Sequence, residues 1–129
     1  MALAQNPYAQ YKQLAVNTAS PERLLIMLFD GAIRFCLQAR QAIEEKDLEK
    51  SNYYLLRCQD IVTELIGSLN MDYEISNSLI KMYEYINYNL QQANIKKDVQ
   101  YLEEAERYFR EFRDIWTQAA KLAKSPPLN

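Results

Sequence analysis

The stretch LEKSNYYLLRCQDIVTELIGSL, residues 48–69, decides the architecture. Leu48, Leu55, Val62 and Leu69 recur every seven residues, and Ser51, Cys58 and Leu65 form a second row beside them. Seven residues make nearly two α-helical turns, so both rows fall on one side of a helix. Such a seam packs against neighbouring helices at a shallow angle.

Helical spacing continues on both sides of this stretch. Upstream, Ser20-Pro21 opens a helix over about 21–45: Ser is a preferred N-cap, Pro suits the first helical position, and Glu22 meets the positive end of the helix dipole. Leu24, Leu25, Leu28, Ala32, Phe35, Ala39, Ala42 and Ile43 form its apolar side. Glu44-Glu45-Lys46-Asp47 is a polar break in which Asp47 caps the next helix. Downstream, Asn70-Met71-Asp72 turns the chain into a helix over about 73–94, with Ile75, Leu79, Met82, Ile86, Leu90 and Ala93 facing inward. After Asp98 a last helix, about 99–123, buries Leu102, Ala105, Phe109, Phe112, Trp116 and Ala119, and Ser125-Pro126-Pro127 ends it. At ~1.5 Å per residue the four helices have similar lengths. Short links force each back beside the last. The expected fold is all-α, an antiparallel up-down-up-down four-helix bundle over 20–124. A short N-terminal arm (1–19, helical at about 7–15) precedes it, and a disordered tail (125–129) follows.

Composition agrees and narrows function. The 129 residues suffice for one domain with a sizeable core. Two Gly and four Pro are too few for the many turns of a β-sandwich. Histidine is absent, which excludes Ser-His-Asp and Cys-His nucleophiles, His-ligated zinc and haem, and the Glu-x-x-His di-iron site. A net charge of −2 gives no general attraction for nucleic acid or an anionic membrane. Met1-Ala2-Leu3-Ala4-Gln5 has neither the basic region nor the apolar run of a signal peptide, so a cytosolic chain is expected. Cys36 and Cys58, with no CxxC spacing, read as reduced core thiols.

The surfaces differ. Glu103 to Asp114 interleaves both signs at helical spacing, which describes a solvated face laced with weak ion pairs. Residues 75–95 carry charge only at Lys81 and Glu84, yet hold Tyr83, Tyr85 and Tyr88 among several Asn and Gln. The tyrosines span more arc than one packed face absorbs, so some rings are exposed. Charge depletion with Tyr enrichment marks a protein contact surface. In the arm, Tyr8, Tyr11 and Leu14 share one side of a helix too short to stand alone in water. It either caps the bundle permanently or covers an apolar groove until a partner displaces it. Gly31 lies inside the first helix, where its bare Cα permits close approach of another helix or of a bound segment.

Asn6-Pro7-Tyr8 with Tyr11, Thr18-Ala19-Ser20-Pro21 and Met27-Leu28-Phe29-Asp30-Gly31-Ala32-Ile33 are together similar to the N-terminal signature of the flagellin-specific export chaperone family FliS. Met82-Tyr83-Glu84-Tyr85-Ile86, Leu90, Ala93-Asn94, Asp98 and Arg113-Asp114-Ile115-Trp116 follow at the family's spacing, so the resemblance runs from about residue 6 to 119. It implies a cytosolic four-helix bundle, with no nucleotide or cofactor, that binds the disordered C-terminal region of flagellin. Such a chaperone prevents premature filament assembly and presents its client to the flagellar type III export gate. Many relatives carry basic residues where this chain has Tyr88 and Asn89, so the resemblance implies no ionic contact there. The candidate client-binding residues are Met27, Gly31, Ile33, Tyr83, Ile86, Leu90 and Asn94, with Tyr8, Tyr11 and Leu14 as the movable arm. The competing readings are a structural bundle that dimerises through the tyrosine face with no secretion client, and an enzyme, for which the residues give no positive signal.

Overall fold

The computed structural model describes residues 21–124. The arm, with Tyr8, Tyr11 and Leu14, and the tail lie outside the described residues. Four helices follow in order: α1 Pro21–Glu44, α2 Leu48–Gly67, α3 Ile75–Lys96 and α4 Val99–Lys124. Each packs against its sequence neighbours and α4 returns to α1, closing the expected all-α bundle. Among the described residues there is no strand, and no helix is long and apolar enough to cross a membrane.

The links are built from local polar chemistry. α1 ends as Lys46 turns left-handed at φ 59° and the Asp47 amide donates to the Ala42 carbonyl at 2.9 Å. The Asp47 side chain then accepts from the Lys50 amide at 3.0 Å and caps α2. At the far end of α3, Lys97 is left-handed at φ 51°, and Asp98 accepts from the Gln100 amide at 2.9 Å, starting α4.

The core runs the length of the bundle. Phe29 stacks on Phe112 at 5.7 Å between ring centres, and Tyr83 leans on Phe112 at 5.3 Å. Leu55, Ile61, Leu65, Ile86 and Leu90 are wholly buried beside them. Cys36 and Cys58 are buried free thiols whose sulfurs lie 3.8 Å apart across α1 and α2. Hydrogen bonding to Cys58, and then burial, hold the Cys36 thiol well above its ordinary pKa. Phe29, Ile33 and Ile61 join the core beyond the residues that periodicity alone selected.

The seams are unequal. α1 packs extensively on both α2 and α4, and α3 packs less on either of its neighbours. Arg40–Glu103 at 3.0 Å and Arg113–Asp30 at 3.7 Å clasp α1 to α4. α3 is held by neutral or singly charged bonds instead. Asn94 donates to Asn52 of α2 at 2.8 Å, and the Tyr85 hydroxyl donates to Glu104 of α4 at 2.7 Å.

Three inward-facing assignments are corrected. Leu48 is 62% exposed because it begins α2 beyond the last packed turn of its neighbours. Ile75 at 66% and Met82 at 39% lie on the inward stripe of α3, but the bundle leaves that stretch partly uncovered, and Tyr83 turns in at 2%.

Candidate binding groove

The uncovered stripe borders a groove. At the end where α1 and α3 begin and α2 and α4 finish, Ile75, Leu79 and Tyr83 form one wall. Their spacing of four residues per step keeps them on one side of α3. Trp116 of α4 and Leu25 of α1 face them, and Leu69 and Tyr73 of the connecting segment close the rim around an open space of about 560 Å³. An adjoining cleft shares Leu25 and Ser68 with the groove; Pro21, Leu24 and Leu28 line its α1 side and Glu64 of α2 the other, so the apolar surface continues along α1 only.

Asn70 sets the rim. Its carbonyl accepts from the Tyr73 amide at 3.2 Å and from the Ser76 hydroxyl at 2.6 Å, while its side chain accepts from the Asp72 amide at 3.0 Å. One residue thereby ties the turn to the first turn of α3 and holds Tyr73 and Ile75 at the groove mouth. Ser68, Asn70 and Ser76 are the polar lining, and no charged side chain is among the lining residues. The outer face of α4 is the opposite kind of surface. There Arg107 bridges Glu104 and Glu111, and Arg110 pairs with Glu106. Burial pushes the Tyr83 phenol up to about 12, so at neutral pH the groove wall is uncharged as well.

Among the described residues no cluster of three or more His, Cys, Asp or Glu is arranged to hold a metal ion. What the groove offers is apolar area with a few hydroxyl and amide groups, the composition of a site that docks apolar side chains.

The residues proposed from sequence separate into three groups. Tyr83 lines the groove from within the core. Ile33, Ile86 and Leu90 were expected on the docking face and are packed in the core instead. They continue the inward stripes of α1 and α3 through fully packed turns, and Gly31 is likewise buried. Met27 is half-buried on α1. Asn94 is half-buried at the other end of α3, about 22 Å along the axis from Leu79 at ~1.5 Å per residue, where it bonds Asn52 and accepts from Lys97 at 2.6 Å. Leu25, Leu69, Tyr73, Ile75, Leu79 and Trp116 were not singled out as site residues. Their signal was an inward-type stripe continuing into a turn too polar to cover it.

Among the described residues the site is an uncharged apolar groove on a closed helical bundle, a surface suited to binding another protein segment. The family model described as "Flagellar protein FliS" matches residues 4–123. The chain is 47% identical over 115 residues to the flagellar secretion chaperone FliS of Bacillus subtilis, covering 89% of this chain and 86% of that one. It is 33% identical over 120 residues to the flagellar secretion chaperone FliS of Salmonella typhimurium, covering 90% and 89%. The corresponding Escherichia coli protein is 31% identical over 116 residues, covering 87% and 85%. The chain belongs to the FliS family of flagellar secretion chaperones.

Proposed function

We propose that the chain acts in the bacterial cytosol as a chaperone for flagellin, taking the disordered C-terminal region of the subunit into the groove between α3, α4 and the start of α1. The observation that carries this reading is the apolar groove in which exposed Ile75 and partly buried Leu79 line one side with Trp116, while Met82 lies exposed farther along α3. It is a helix-packing surface that the bundle itself leaves incompletely used. An amphipathic client segment that folds on binding supplies the missing helix, and the apolar area it buries offsets the ~2–5 kcal/mol needed to order it. Held in this way, the segment is withheld from other subunits until delivery to the flagellar type III export apparatus. The arm, through Tyr8, Tyr11 and Leu14, covers the groove before the client arrives. No bond is made or broken.

Trp116 is the chain's single tryptophan and lines the groove, so its emission reports occupancy directly. Titration with a tryptophan-free flagellin C-terminal peptide is expected to shift that emission with 1:1 stoichiometry. Far-UV circular dichroism of the complex is expected to exceed the sum of the parts. No change in either signal at tens of micromolar peptide overturns the proposal.

A further inference from the structure

A second opening lies next to the groove, on the outer side of the α1–α4 seam. Ile26 and Thr117 line it and directly follow Leu25 and Trp116, which line the groove, so the two spaces are one residue apart along both helices. The opening is a notch of about 500 Å³ between half-buried Ile26 of α1 and half-buried Thr117 and Ala120 of α4. The Thr117 hydroxyl donates its single proton to the Arg113 carbonyl of its own helix at 2.7 Å. Arg23 and Lys121, both exposed, complete the lining, and no acidic side chain belongs to it. Farther along the seam, Asp30 and Asp114 face Arg113 at 3.7 and 3.3 Å. A neutral groove is thus followed by a notch with an apolar floor and two cations.

We infer that the notch takes the α-carboxylate that ends the flagellin chain, with the apolar side chain nearest that end resting on Ile26 and Ala120. The inference rests on the client reading above and adds a direction to it: the client's end lies at the α1–α4 seam and the residues before it cross the groove. Charge and surface together select this occupant. Arg and Lys beside apolar atoms suit a group that brings an anion and an apolar side chain side by side. A carboxylate within an amphipathic client helix lies on its polar side, away from the stripe that fills the groove. A chain end has no such restriction, because the helix has stopped. The N-terminal arm cannot substitute, since residues 1–20 contain no acidic side chain. The notch therefore favours the client over the arm. Both cations are exposed, so each contact is weak and screened by salt, and the pair is expected to contribute about three- to tenfold in affinity.

Two tryptophan-free peptides that run to the last residue of flagellin test the inference, one ending in the free acid and the other in an amide. Each is titrated into the full chain with Trp116 emission as readout. The amide is expected to bind about three- to tenfold more weakly at low salt. The gap should close near ~1 M salt, where screening acts within about 3 Å. Arg23→Gln with Lys121→Gln should bring the free acid down to the affinity of the amide and leave the amide unchanged. Circular dichroism should not move, since both positions are exposed. Lys46→Gln with Lys50→Gln, at the opposite end of the bundle, removes the same charge and should leave the gap intact. Equal binding of the two peptides overturns the inference and leaves the client reading standing. A gap that survives the Arg23 and Lys121 substitutions overturns it too, as does one that the Lys46 and Lys50 pair narrows equally. If neither peptide binds at tens of micromolar, the client reading itself has failed, and this inference with it.

Discussion

Replacing Ile75 by Glu separates the groove from the core beneath it. In the free protein about two thirds of Ile75 is open to water, so the fold draws little from it. The stability change is expected to stay within about 0.5 kcal/mol, as for most surface substitutions. For the client the position counts differently. Fully burying an Ile side chain is worth roughly 1.5–3 kcal/mol, so the exposed two thirds leaves about 1–2 kcal/mol to be gained on docking. Truncation to Ala should therefore weaken binding about 5- to 30-fold. Glu must in addition bring a carboxylate into an uncharged groove, so its loss exceeds the Ala value. Leu90→Ala, at a wholly buried position on the same helix, is the counterpart and should cost about 2–5 kcal/mol of stability. Urea unfolding measures the first quantity and Trp116 emission against the flagellin peptide the second. The reasoning is refuted if Ile75→Glu binds within twofold of wild type, or if its unfolding midpoint falls as far as that of Leu90→Ala.

Deletion of residues 1–16 should leave the bundle folded, with a thermal midpoint within a few degrees of the full chain, because the four helices carry their own core; a loss of tens of degrees assigns the arm to that core. Asp47→Ala removes the side-chain cap of α2 and should lower stability by about 1 kcal/mol in urea unfolding. Cys36 and Cys58 should react with a disulfide reagent such as Ellman's only after denaturant is added, since both are buried and the Cys36 thiol is held protonated. Glu104 is held below its ordinary value of 4.5 by the Tyr85 hydroxyl and then by Arg107. Its contribution is present above pH 4.5 and fades as pH falls through the lowered folded-state value, so the difference in unfolding midpoint between wild type and Glu104→Gln should shrink along that descent.

The bundle was legible because its signal is periodic: the seven-residue rows of α2, the cap at Asp47 and the polar breaks each constrain the same four helices. Helix ends shifted by a residue or two where side-chain caps did not define them. α3, expected from about residue 73, begins at Ile75, since Glu74 makes no side-chain cap bond and Asn70 organises the turn before it. The groove was only half legible. Periodicity reports which side of a helix is apolar, not how far along that side a neighbour reaches. Ile75 and Met82 therefore read like Ile86 and Leu90, although the bundle covers only the second pair. Tyr83 counts among the expected client-binding residues on a face rich in tyrosine, yet its ring fills the space beside Phe112. The family resemblance supplied the chaperone class, which no spacing of core residues could give.

The uneven ties of α3 have a mechanical consequence. Among the described residues, cation–carboxylate pairs fasten α1 to α4, whereas none fastens α3 to either neighbour. Salt weakens the first kind of fastening and hardly touches an amide pair such as Asn94–Asn52, which anchors α3 only near its far end. High salt should therefore loosen the clasp of α1 on α4 before it touches the groove end of α3, where the Asn70 carbonyl accepts from the Ser76 hydroxyl and the Tyr73 amide.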